Sequence, residues 1–114
     1  MKLTKEQLYY RKYDGKVEEL WGINFFNILG SDTVRVLEIP SHVERIEIES
    51  INVYGLFTSI DNSREFPQLK KLILPQKFRE LIINGRDRTY GKFTIQQNGS
   101  MIYNGNLTFE IVFK

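Results

Sequence analysis

A chain of 114 residues is one domain, long enough to bury a core and too short for two comfortable ones. Its 41% hydrophobic and 26% charged content is ordinary for a globular protein, its net charge is only +2, and no apolar run nears the ~18 residues of a membrane span. Zero cysteines exclude a disulfide framework, thiolate catalysis and the usual structural zinc sites.

The small net charge hides an uneven distribution. Residues 1–17 hold five Lys/Arg against two acids (+3), residues 18–61 two against eight (−6), and residues 62–114 nine against four (+5). Blocks of this kind steer partners of complementary charge or attract each other within the fold. The lysines of residues 1–6 have no hydrophobic segment behind them, so no signal peptide is expected and a cytoplasmic location is the simplest expectation.

Along the chain, Thr4 and Gln7 have the spacing of a capping box, with Leu3 and Leu8 at staple positions. They predict a helix running to about Tyr13 and stopping at Gly15. A competing reading pairs residues 9–13 with 16–20 as a hairpin across Asp14-Gly15; the helix is preferred. Val17, Leu20 and Ile23 are spaced for a strand, and residues 1–30 read as an N-terminal cap with Phe25, Phe26, Ile28 and Leu29 as its packing surface.

The next signal is a phrase written twice, 35 residues apart. Val34-Arg35-Val36-Leu37-Glu38-Ile39-Pro40 continues to Ile48, and Leu69-Lys70-Lys71-Leu72-Ile73-Leu74-Pro75 continues to Ile83, with every apolar position and the proline in register. A proline cannot donate to a ladder, so it marks a corner between two short strands. Stacked in parallel, the copies would set Glu44 against Arg79 and Arg45 against Glu80, and would bury Leu37, Ile39, Val43, Ile46 and Ile48 on Leu72, Leu74, Phe78, Leu81 and Ile83. Exposed cross-strand ion pairs contribute only about 0.2–1 kcal/mol each, so the aliphatic stack would carry the fold.

Residues 49–68 are the least regular, with Ile51, Val53, Leu56, Phe57 and Ile60 apolar enough to fold back over the strands. The last third alternates in strand fashion around Asn98-Gly99 and Asn104-Gly105, which predicts a three-stranded antiparallel meander.

The second copy, Leu69-x-x-Leu72-x-Leu74-Pro75-x-x-Phe78-x-x-Leu81, resembles the BspA-like leucine-rich repeats of bacteria. The resemblance covers residues 34–48 and 69–83, about a third of the chain, and departs from the family in its 35-residue spacing and its two copies. It implies a ladder-like solenoid and a protein-binding role, and carries over no catalytic residue. The expected fold is therefore mostly β (α+β): a single domain, residues 1–114, built as a short leucine-rich-repeat-like solenoid of stacked strands. A helical cap (1–30), two repeats (31–90) and an antiparallel β-meander (91–114) make up its length.

Chemistry-bearing motifs are sparse. His42, the only histidine, lacks an accompanying Ser or Cys nucleophile and reads as a turn residue. Glu44, Glu47 and Glu49 read as a solvated acidic face rather than a metal site. Arg86, Arg88 and Tyr90, with Lys92 and Arg79, form the most concentrated basic-aromatic group, but they fit no standard nucleic-acid module. Tyr9, Tyr10, Tyr13 and Trp21 cluster near the amino terminus; such aromatics are enriched at interface hot spots, but capping a small core is the preferred reading.

The expected function is a non-enzymatic protein-binding module with no cofactor and no metal. Its contact residues would be Arg86, Arg88, Tyr90, Lys92, Arg79 and Lys70, with Glu44 and Glu47 as outward charges. Two other readings stand beside it: a small phage or mobile-element inhibitor of a host nuclease or nucleic-acid-binding enzyme, and direct nucleic-acid binding by the basic C-terminal third. No membrane partner is expected, and the oligomeric state is not readable.

Overall fold

The computed structural model describes residues 1–13, 15–24, 28–47, 55–85 and 92–114. They form an α+β fold with two mixed sheets and two short helices. One sheet has three strands in the order β1 (Leu8–Tyr13), β2 (Val17–Ile23), β4 (Arg45–Ile46). The other has five, ordered β3 (Val36–Glu38), β5 (Lys71–Leu74), β8 (Thr108–Phe113), β7 (Met101–Asn104), β6 (Phe93–Ile95). Helix α1 (Leu56–Ser63) comes before β5, and α2 (Arg79–Gly85) comes after it.

The core is set by register. Leu37 of β3, Leu72 of β5, Ile111 of β8 and Met101 of β7 are successive ladder partners, and all four are fully buried. Helix α1 closes this layer. Its buried residues, Leu56, Phe57, Ile60 and Asp61, fall on one face at helical spacing. Phe57 meets Phe93 edge-on at 5.2 Å and stacks with Tyr103 at 6.1 Å, while Tyr103 stacks on Phe109 at 4.9 Å. On the side of the smaller sheet, α1 comes close enough to β2 that a Cβ on Gly22 would lie 3.1 Å from Ser59 Oγ. The helix thus touches both sheets.

Asp61 fixes that arrangement. Its buried carboxylate accepts the backbone N–H of Leu107 at 2.6 Å and of Asn106 at 3.1 Å, and the Tyr103 hydroxyl at 3.4 Å. The turn between β7 and β8 is thereby tied to the helix. Gly105 lies in this turn because a side chain there has no room: its Cβ would sit 2.4 Å from Asp61 Oδ2 and 2.7 Å from the Tyr103 ring.

The solenoid expectation is overturned. The first halves of the two phrases do lie side by side, β3 parallel to β5 with Leu37 opposite Leu72, but the second halves part company. Residues 45–46 enter the other sheet beside β2, whereas residues 79–85 are helix. The cause is the apolar-x-x-apolar spacing after the proline, which suits one turn of helix as well as a strand. Arg79, Glu80 and Leu81 are good helix formers, while the matching stretch around Val43 and Ile46 is β-branched. In α2 it is Ile82 that turns inward, four residues after Phe78, and Leu81 is left exposed. The anticipated Glu44–Arg79 and Arg45–Glu80 pairs do not form: Arg45 reaches Glu19 at 3.0 Å, and Arg79 lies 3.5 Å from its neighbour Glu80.

The N-terminal helical cap is absent as well. Gln7 Oε1 accepts the Thr4 N–H at 2.9 Å, but this closes only a single 3-10 turn at Lys5–Gln7. Tyr9, Tyr10, Val17 and Trp21 then favour strands, and β1 and β2 form a hairpin whose turn uses Gly15 at φ +72. The C-terminal strands run antiparallel as β6-β7-β8, yet β8 also pairs in parallel with β5, so they extend one mixed sheet rather than cap a stack. Phe25, Phe26, Ile48, Ile51 and Val53 lie outside the described residues.

Removing the joint should be costly. Asp61→Ala leaves two backbone donors without their charged acceptor and is expected to lower unfolding stability by about 2–3 kcal/mol in urea denaturation. Gly105→Ala should lower it by about 1–3 kcal/mol through overpacking against Asp61 and Tyr103.

Candidate functional site

The β1–β2 hairpin and residues 42–44, which lead into β4, enclose a cleft of about 380 Å³. Alternation along the strands builds its floor. Tyr10 and Lys12 point to the same face of β1, and Glu18 is the cross-strand partner of Lys12. Lys5 arrives from the 3-10 turn before β1 and Lys16 from the hairpin end, with His42 and Glu44 opposite. Lys5 Nζ lies 3.8 Å from Glu18. Among the described residues, Lys12, Lys16 and Glu44 make no ion pair.

The cleft therefore holds three lysines against two carboxylates, with a hydrogen-bonding pair at its back. Tyr10 Oη and His42 Nε2 are 3.1 Å apart. Burial, and then the nearby charge of Glu18, push the Tyr10 hydroxyl above its ordinary range, so it stays protonated and available as a donor. An excess of ammonium charge beside hydrogen-bonding side chains is chemistry suited to anionic groups, in a space of the size of a short polar segment.

The opposite face of the same sheet carries a row of charge in register. Arg11, Glu19 and Arg45 are lateral neighbours on β1, β2 and β4. Arg11 Nε donates to Glu19 Oε1 at 3.1 Å, and Arg45 Nε donates to Glu19 Oε2 at 3.0 Å. Arg11 Nη2 also donates to Glu47. Both carboxylates are buried. Burial, and next a hydrogen bond shared with Glu19, raise the Glu47 carboxyl above its ordinary value, against a smaller lowering by Arg11. Nearby, Trp21 stacks on Tyr9 with ring centroids 5.7 Å apart, and Tyr9 Oη donates to Asn24 Oδ1 at 3.1 Å.

The sequence-expected contact residues are scattered among these features. Glu44 lines the basic cleft, whereas Glu47 is buried and internally paired rather than outward-facing. Arg79 lines a separate polar cleft of about 430 Å³ with Gln76, Asn98, Ser100 and Glu110. Lys70 is exposed at the start of β5, and the Lys92 ammonium sits 5.8 Å over the Tyr103 ring. Arg86, Arg88 and Tyr90 lie outside the described residues. Sequence reasoning passed over Lys5, Tyr10, Lys12 and Lys16 as a site. The signal that marked them was the +3 block of residues 1–17, and only the hairpin gathers it into one place.

Among the described residues no three His, Asp or Glu side chains converge as metal ligands, and no helix is long and apolar enough to cross a membrane. Comparison of the chain with protein-family models, with curated proteins and with solved structures gives no match.

The raised Glu47 carboxyl sets a pH dependence. Between its raised value and the ordinary carboxylate value of 4.5, the folded chain binds more protons than the unfolded one, so this group adds stability as pH falls through that window. The contribution is complete below the ordinary value and is lost as pH rises through the raised one. Glu47→Gln should flatten that part of the stability profile, as read from urea midpoints at a series of pH values.

Proposed function

We propose that this chain is a non-enzymatic protein-binding domain whose basic cleft receives an acidic segment of its partner. The observation that carries the reading is the pair Lys12 and Lys16, two ammonium groups without carboxylate partners among the described residues, set over a cleft already furnished with Tyr10 and His42. Charge left uncompensated beside a concave, polar-lined space favours a ligand of opposite sign, and speeds its arrival. The Tyr10–His42 pair stands beside no Ser or Cys among the lining residues, so it serves as a hydrogen-bonding wall rather than as the base of a nucleophile. The Arg11–Glu19–Arg45 row, with the buried Glu19 between two arginines, braces the sheet beneath the cleft, which lowers the cost of ordering the site on binding.

The test is titration of labelled hexaglutamate against the wild-type chain and the double reversal Lys12→Glu, Lys16→Glu. The reversal should weaken binding at least about tenfold, the equivalent of 1.4 kcal/mol. It should lower the melting temperature only slightly, because both side chains are exposed and the new cross-strand like-charge contact is with Glu18, across from position 12. Wild-type affinity should fall as salt is raised. Equal affinity of the two proteins would remove the cleft from consideration.

A further inference from the structure

We infer that the partner segment docks as an added strand on the edge of β1 that no described residue pairs with, with acidic side chains at alternate positions over the lysine cleft. This rests on the acidic-segment reading and specifies the conformation and residue pattern of the bound segment. An uncovered sheet edge presents a row of unpaired N–H and C=O groups, and folded proteins cover or shorten such rows.

Among the described residues, three of the four edges in the two sheets are dealt with in that way. The edge of β3 is occupied by the start of the chain: the Met1 ammonium donates to Val36 O at 2.8 Å, Leu3 N–H to Glu38 O at 3.0 Å, and Glu38 N–H to Met1 O at 2.8 Å. The strand β6 has three residues and β4 has two. The strand β1, with six, pairs only with β2 among the described residues. Its pairing shifts between Tyr9 and Tyr10, where β2 skips Trp21, and beyond that bulge Tyr10, Arg11, Lys12 and Tyr13 form a regular run. Four residues at about 3.3 Å each give a template of roughly 13 Å, enough for a short extended segment.

Charge says which segment fits. Basic residues on an edge oppose pairing with a second copy of the same strand, since like charges would face each other. The same lysines admit a strand of opposite charge. Period-two alternation then divides the guest: every second side chain lies beside Tyr10 and Lys12 over the cleft, and the intervening ones lie on the face of Arg11 and Trp21. The Arg11 charge is already met by Glu19 and Glu47, and the Trp21–Tyr9 stack is apolar, so the intervening positions take apolar residues. The recognised pattern is alternating acidic and apolar, held by main-chain hydrogen bonds to β1.

The probe is the capped peptide Val-Glu-Val-Glu-Val-Glu, compared with its block isomer Val-Val-Val-Glu-Glu-Glu and with two N-methylated forms, titrated against the intact chain. In an extended strand the N–H groups of all the glutamates point to one edge and those of all the valines to the other. One N-methylated form is expected to lose at least tenfold in affinity while the other binds like the parent, and the block isomer is expected to bind more weakly than the parent. Equal binding by both N-methylated forms, or by the block isomer, would overturn strand addition. Failure of the alternating peptide alongside Lys12-dependent binding of hexaglutamate would overturn this inference and leave the acidic-segment reading standing.

Discussion

One buried carboxylate joins the two halves of this molecule. Asp61 stands on α1, the helix that touches both sheets, and receives two backbone N–H groups and a hydroxyl from the far end of the larger one. Charged acceptors of this kind are worth more than neutral ones, and the loss of such a group strands its donors in a dry interior. Through α1 the constraint reaches Gly22 of β2, and so the hairpin that carries the lysines. The turn between β7 and β8 and the hairpin that carries the cleft thus meet on the same helix.

Helix α1 could not be read in advance because residues 49–68 show no clean periodicity, and its value lies in contacts with residues far away in sequence. Phe57 meets Phe93 and Tyr103, 36 and 46 positions later. Local signals did better where the chemistry is local. Asn98-Gly99 and Asn104-Gly105 do turn the chain between antiparallel strands, with Gly99 at φ +85 as a left-handed turn position demands. The doubled phrase spoke truly of β3 and β5 and misleadingly of the residues after each proline, since spacing alone does not separate a turn of helix from a strand.

The candidate site was half legible. A +3 block in the first seventeen residues was plain, but its meaning depended on whether residues 8–13 form helix or strand. A helix would have spread Tyr10 and Lys12 around its circumference, whereas the strand sets them on one side. His42 looked solitary because its partner, Tyr10, is 32 residues earlier. The two buried glutamates tell the same story. Glu47 reads as part of a solvated acidic face and Glu19 draws no notice, until parallel pairing of β2 with β4 brings Arg45 beside Glu19 and closes the network.

That row across β1, β2 and β4 also sets the phase of the small sheet. If β2 slipped by a single residue, Glu18 or Leu20 would stand between the two guanidinium groups, and every side chain of the strand would change sides. Leu20 would then leave the core for the face of the arginines, and Glu19 would pass to the other face without its two counter-ions. The arginines thus act as a vernier: they recognise one alignment only, and in that alignment Glu18 stands across from Lys12 in the cleft.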